Sequence, residues 1–427
     1  MKFLRFGICL LLAFAVLAFG AVEEWAQAVV EIGLGALLVI WAGQQYRRKS
    51  EQVLISPLLL PLAAFAMVVF VQLAFHLTAS WYHTRVEFQL VVTYILLVFL
   101  LPQAYQRLNH FKGLLWFLMV LGFFVSIFGI LQYLTYNGEL YWYRVMRFGG
   151  NPFGPYVNRN HFAGFAELVI PIALVPLVLG KVRRERLFLV SLFALVPIVA
   201  LLLSASRGGI VSLALEMILL FAILLYQKIH SKYVVAGAVV VLCAGLAVSW
   251  IGVQKVLQRF SGTQTIDVTM GKRASMRRDT WKIFQDHPVI GTGLGTLQLV
   301  FPPYESNYDN KVVNHSHNDY LEALAETGAL GGLCCVWFLG ALFTDSIKGL
   351  RNLGTSFGAS LNLAGLVGCS GLLVHSLVDF NLHIPANALL FFVAAHLATT
   401  RLQTPLPGVP EGASRRRRIR KPEAGHE

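Results

Sequence analysis

Blocks of apolar residues alternate with short polar connections along almost the whole chain. The blocks run to about 20 residues, the length that crosses about 30 Å of hydrocarbon as an α-helix. They fall near 3–22, 26–43, 53–75, 87–104, 113–134, 162–180, 187–204, 208–226, 233–252, 318–344, 357–377 and 384–401. This pattern predicts an all-α polytopic membrane protein with about twelve transmembrane helices. The first block follows Lys2 and Arg5 and ends in small residues near Gly20, as a cleaved signal peptide would. The many later spans favour a retained signal-anchor helix instead.

Lys and Arg concentrate in the connections at 45–50, 106–112, 181–186, 227–232 and 347–353. All of these fall on one side of the membrane if the N-terminus is cytoplasmic, and the run Arg415, Arg416, Arg417, Arg418, Arg420, Lys421 lands on the same side. The expected arrangement is a multi-pass membrane protein with both termini cytoplasmic. One transmembrane unit covers 1–404, and a basic, disordered cytoplasmic tail covers 405–427. The opposite, outer side receives 135–161, a short hairpin at 204–209 and a long loop at about 253–317.

Composition agrees with a membrane setting. The 427 residues are 56% apolar and 13% charged, with a mean hydropathy of +0.63, about half the charge a soluble surface carries. A soluble enzyme, a disordered chain and a disulfide scaffold are excluded. The net charge of +13 would suggest nucleic acid on a soluble protein. Here it marks loops that touch anionic lipids, so membrane lipids are expected partners and nucleic acid is not. Cys9, Cys243, Cys334, Cys335 and Cys369 lie in apolar stretches without CxxC spacing and read as small buried hydrophobes.

Candidate chemistry gathers at the outer edge. His315-Ser316-His317-Asn318-Asp319-Tyr320-Leu321-Glu322 places four ionisable groups where the long loop enters a span, a costly position without a task. A neutral His there can accept a proton from a hydroxyl. Helix capping from Asn314 or Ser316, with acids in the first turn, accounts for Asp319 and Glu322 but not for the histidines. A zinc site is a third option, disfavoured because two histidines separated by one residue do not share a helix face and no Cys or HExxH partner accompanies them, so no metal is expected. In Ser204-Ala205-Ser206-Arg207-Gly208-Gly209, the glycines suggest a tight turn with exposed N–H groups beside a guanidinium, an anion clamp; the plainer reading is a snorkelling Arg.

Arg273, Arg277 and Trp281 fall on one helix stripe, which offers cations and an aromatic face to a diphosphate or sugar. An amphipathic surface helix explains them equally well. Arg159, in Asn158-Arg159-Asn160-His161, adds an outer-edge cation, and His375 lies four residues before Asp379, a spacing that lets a carboxylate orient an imidazole. For both segments, helix-end capping is an alternative.

Together these residues resemble the O-antigen ligase and O-antigen polymerase superfamily of bacterial membrane glycosyltransferases, over about 150–400. The most specific element is His317-Asn318, nine residues, then Gly328-Ala329-Leu330-Gly331, which is similar to the ligase pattern. That register selects His317 over His315. Ser206-Arg207-Gly208-Gly209, the Arg277–Trp281 stretch with His287-Pro288 and Gly291, and the hairpin from Asp379 to Pro385 also look like family landmarks.

The resemblance implies a glycosyltransferase C type fold with a periplasmic active site and no cofactor. The implied donor is an undecaprenyl-diphosphate-linked glycan, and the implied acceptor is a lipid A–core sugar or another glycan. In this reading His317, Arg207 and Arg277 carry catalysis. Arg207, Arg273, Arg277 and Arg159 hold the diphosphate, and His315, Asn318, Asp319, Trp281, His375 and Asp379 support them. A polymerase of the same superfamily is the alternative. A transporter for a lipid-linked glycan is more distant, because carriers place polar groups near mid-membrane in matching repeats, and this sequence has no repeat.

Overall fold

The computed structural model describes residues 2–48, 53–145, 151–229, 235, 263–308, 312–353 and 356–401. The apolar block near 233–252 and the tail 405–427 lie outside the described residues. Every other predicted span is a helix: α1 (Lys2–Leu17), α2 (Glu24–Arg48), α3 (Leu59–Ala74), α4 (Trp81–Ala104), α5 (Leu108–Leu134), α6 (Arg159–Val178), α7 (Leu187–Leu203) and α8 (Arg207–Tyr226). Then follow α9 (Thr263–Asp286), outside the apolar blocks, and α10 (Asp319–Gly349), α11 (Phe357–His375) and α12 (Pro385–Thr399). Among the described residues, eight helices are long and apolar enough to cross a membrane, while α3 and α12 are shorter apolar helices. This is an all-α, multi-pass membrane protein.

The long spans differ widely in burial. In α6, 94% of the apolar window is inside the protein, against 22% in α10. A helix that is apolar all round belongs at the centre of a bundle, and α6 packs there against α11, α7 and α5. The exposed side chains Leu330, Leu333, Val336 and Trp337 of α10 present an apolar flank suited to lipid.

The helices alternate in direction, so the connections sort to two ends. At one end Lys112 lies over the Phe357 ring, Arg186 lies over Trp116, and Asn362 Nδ2 donates to the carbonyls of Leu397, Ala398 and Thr400. This end carries the Lys/Arg-rich connections. The other end gathers the α3–α4 turn, the starts of α6 and α8, α9 and the α11–α12 hairpin. Asn387 locks that end by donating to the His161 carbonyl at 2.9 Å and accepting from the buried Tyr156 hydroxyl at 3.0 Å. Each such hydrogen bond contributes about 0.5–1.5 kcal/mol net, and more is lost if a partner is left buried alone.

A small satellite core of Ile283, Leu297, Phe301, Val313 and Ala325 fixes α9 to the start of α10. Asp279 pins the following segment by accepting from the Ser306 N–H at 2.9 Å and hydroxyl at 2.7 Å. Burial would raise the Asp279 carboxyl, but these bonds and Lys282 outweigh it and hold it below its ordinary value.

Candidate active site

Three segments distant in sequence meet at the end opposite the Lys/Arg-rich connections: the loop entering α10, the α11–α12 hairpin and the start of α6. His317 adopts a left-handed backbone (φ 53°), uncommon for a side chain with a Cβ. Asn318 follows as the N-cap of α10, accepting from the Leu321 N–H at 2.9 Å and donating to the Leu377 carbonyl at 3.0 Å. The turn brings His317 Nδ1 to 3.3 Å from Asp379 Oδ1. The cap is therefore Asn318, not Asn314 or Ser316.

Asp379 is buried and serves as the hub. Its Oδ2 accepts from Asn160 Nδ2 at 2.5 Å and lies 3.6 Å from an Arg273 nitrogen, and His161 Nε2 lies 3.9 Å from Oδ1. Burial alone would raise this carboxyl. The hydrogen bond from His317 and the charges of His317, His161 and Arg273 outweigh burial and hold it well below the carboxylate range. Sequence spacing suggested His375 as its imidazole partner, but Asp379 turns to His317 instead. Arg273 donates to the Val378 carbonyl at 2.9 Å, which ties α9 to the hairpin.

Phe380 separates this hub from a second cluster. Its ring stacks on His315 (centroids 4.2 Å) and meets His317 and His161 edge-on at 5.1 and 4.8 Å. Beyond it, His315 Nδ1 lies 2.7 Å from Glu322 Oε1, and Glu322 Oε2 accepts from the Ser316 N–H at 2.8 Å. His383 Nδ1 lies 2.7 Å from Asp319 Oδ1, and its Nε2 lies 3.4 Å from Glu322 Oε1. Burial would lower His383, but Glu322 and Asp319 outweigh it and raise its pKa well above the ordinary value. The two histidines of the HxH pair thus serve different carboxylates, and both pack on the Phe380 ring. The acids of the first turn are spent on histidines, not only on the helix start.

Arg207 opens α8 directly after its N-cap Ser206, whose hydroxyl accepts from the Gly209 N–H at 3.2 Å. The glycines do not form the expected tight turn. They lie in the first helical turn and let α8 approach its neighbours: a Cβ at Gly208 would lie 2.6 Å from the His375 ring. His375 Nδ1 in turn lies 2.8 Å from Glu167 Oε1 of α6, both buried. Gly208 also abuts Val378, so Arg207 starts its helix beside the hairpin that carries Asp379. Arg159 occupies the equivalent first position of α6, half-buried after the N-cap Asn158.

The nine-residue spacing after Asn318 has a steric cause. Gly328 (φ 64°) kinks α10, and a Cβ there would overlap the Val289 backbone. Into the kink docks the strap after α9: Ala329 N donates to Pro288 O at 2.8 Å and Gly293 N to Glu326 O at 2.9 Å. Gln72 of α3 clamps both sides by donating to Ile290 O at 2.6 Å and Glu326 O at 2.7 Å. The motif therefore joins the His317 loop to the base of α9.

On α9, Arg273 and Arg277 are half-buried and Arg278 is exposed. Trp281 follows one turn after Arg277 on the same uninterrupted helix, exposed and packed on Phe284 (5.0 Å). Sequence reasoning passed over Phe380, which no charge or motif marks. It also passed over Glu167 and Glu216, whose signal was present: an acid inside an apolar block.

A helical membrane bundle with a His–carboxylate pair and arginines at one end defines the class. The O-antigen ligase family model matches residues 190–336, which supports the chain's place in the O-antigen ligase superfamily and a ligase- or polymerase-like activity. The matched stretch carries Arg207, α9, His317, Gly328 and Gly331, while the Asp379 hairpin lies beyond it. No curated protein matches the chain.

Proposed function

We propose that the chain is an O-antigen ligase-like glycosyltransferase of the bacterial inner membrane, acting at its periplasmic face. The donor is a glycan on undecaprenyl diphosphate, and the acceptor is a hydroxyl of a lipid A–core sugar. The observation that carries the reading is the His317–Asp379 pair at 3.3 Å, beside the helix start that bears Arg207. With Asp379 accepting from Nδ1–H, the lone pair of His317 lies on Nε2, as a general base requires.

In the reaction His317 takes the acceptor proton as the acceptor oxygen attacks the anomeric carbon. The bond from that carbon to the diphosphate oxygen breaks, and undecaprenyl diphosphate leaves. Attack opposite the leaving group inverts the centre. Arg207 and Arg277, with Arg159 further along the rim, stabilise the departing charge, so no metal is required for this step. Arg273 buttresses Asp379 and keeps it ionised. Asn318, Asp319, His315 and His375 hold the loop, the hairpin and α8 in register.

The test is reconstitution of the purified protein with lipid-linked glycan and a choice of acceptors. Glycosylated lipid A–core together with released undecaprenyl diphosphate supports the ligase. Elongation of a second lipid-linked glycan instead identifies a polymerase. Absence of any covalent product, with movement of donor across liposomes, refutes both.

A further inference from the structure

The second histidine cluster has a donor set that the transfer reaction does not use. Nitrogens of His315 and His383 and an oxygen of Glu322 all lie within 4.8 Å of one another. Two imidazoles and one carboxylate suit zinc-class ions. Two ligand atoms about 2.0–2.1 Å from a tetrahedral ion stand about 3.3 Å apart. The separations to Glu322 Oε1, 2.7 Å for His315 Nδ1 and 3.4 Å for His383 Nε2, bracket that value. His315 lies on the loop before α10, where a few tenths of an ångström of movement opens the shorter one.

The surroundings are those of a ligand site. Asp319 holds His383 Nδ1 at 2.7 Å, the carboxylate–imidazole contact that turns the opposite nitrogen toward a metal. Ser316 occupies Glu322 Oε2 through its N–H at 2.8 Å and its hydroxyl at 3.0 Å, which presents Oε1 to the cluster. The His315 and His383 side chains are 30% and 20% exposed, so an ion and its remaining water can enter from the outer face. Two carboxylates face one ring in His383.

We infer that His315, Glu322 and His383 form a binding site for a divalent transition-metal ion of the zinc class, with Asp319 as the positioning carboxylate. The site is separate from the His317–Asp379 pair, and no bond made or broken in the proposed reaction involves the ion. Occupancy fixes the His315 ring and with it Phe380, on which that ring stacks.

The test uses the full chain purified in detergent without a polyhistidine tag, stripped by chelator and titrated with Co²⁺ and Zn²⁺. Wild type should bind one ion per chain, with the visible absorption of tetrahedral Co²⁺ that Zn²⁺ displaces. Glu322→Gln and His383→Asn should abolish that signal. Asp319→Asn should weaken binding by about 10–100-fold, and His317→Ala should bind as wild type does. His315→Ala, on a partly exposed loop, provides a ligand deletion with little risk to folding and should also lose the signal. No saturable binding by wild type, or a signal that survives His315→Ala and Glu322→Gln, overturns the site. The readout is binding, so its failure is distinct from failure of the transferase reading.

Discussion

His317 and Asp379 stand 62 residues apart in sequence, yet their facing atoms lie 3.3 Å apart. The contact exists because the α10 loop and the α11–α12 hairpin are tied by backbone as well: Asp319 N donates to Ser376 O at 3.0 Å. Orientation of the imidazole is therefore a property of the packed end of the bundle, not of either segment alone.

Asp379 should make stability depend on pH in a defined direction. Its folded pKa lies below the unfolded value of about 3.9. Such a group contributes fully above the unfolded value, and the contribution is lost as pH falls through the folded one. Asp379→Asn should therefore unfold at lower temperature than wild type at pH 7, with the gap closing below about pH 4. Thermal unfolding of both proteins in one detergent checks this, and a gap that widens in acid contradicts it.

Gly328→Ala should cost about 1–3 kcal/mol, from the positive φ and the collision with Val289. Gly340→Ala on the same helix meets nothing within 4 Å and should be neutral. Comparing their unfolding temperatures separates a strap-docking kink from general intolerance of α10.

Lys272→Cys should react with a membrane-impermeant thiol reagent added from the periplasmic side of intact spheroplasts, as the Lys/Arg asymmetry requires. Native cysteines are replaced in the background first. Labelling only after the inner membrane is opened would invert the topology and remove the mechanism.

Much of the bundle was legible because each span is a separate run of apolar residues whose length is fixed by the bilayer. Arg207, His317 and Asp379 stood out because ionisable groups beside hydrocarbon are costly. The pairings were not legible. His375 is four residues from Asp379 but is carried into the interior by the last turn of α11, where Glu167 of a different helix receives it. His315 lacked visible company because His383 lies on the far hairpin. Gly208 looked like a turn residue and proved to be a point of close helix approach. Each miss is a tertiary contact that no local spacing encodes.

Chelator should leave glycan transfer intact, because guanidinium groups carry the leaving-group charge and the histidine cluster lies off the reaction path. Transfer lost in chelator and restored by one divalent metal would move that cluster into the mechanism.

The most direct measurement compares lipid-linked donor binding with glycan transfer in purified Arg207→Ala, His317→Ala and His315→Ala. His317→Ala should bind donor as wild type does and transfer about 10²-fold more slowly or worse. Arg207→Ala should lose transfer with weakened donor binding, poorly rescued by lysine, which lacks the planar fork. His315→Ala should be the mildest. A dead His315→Ala beside a near-wild-type His317→Ala would contradict the assignment of His317 as the base.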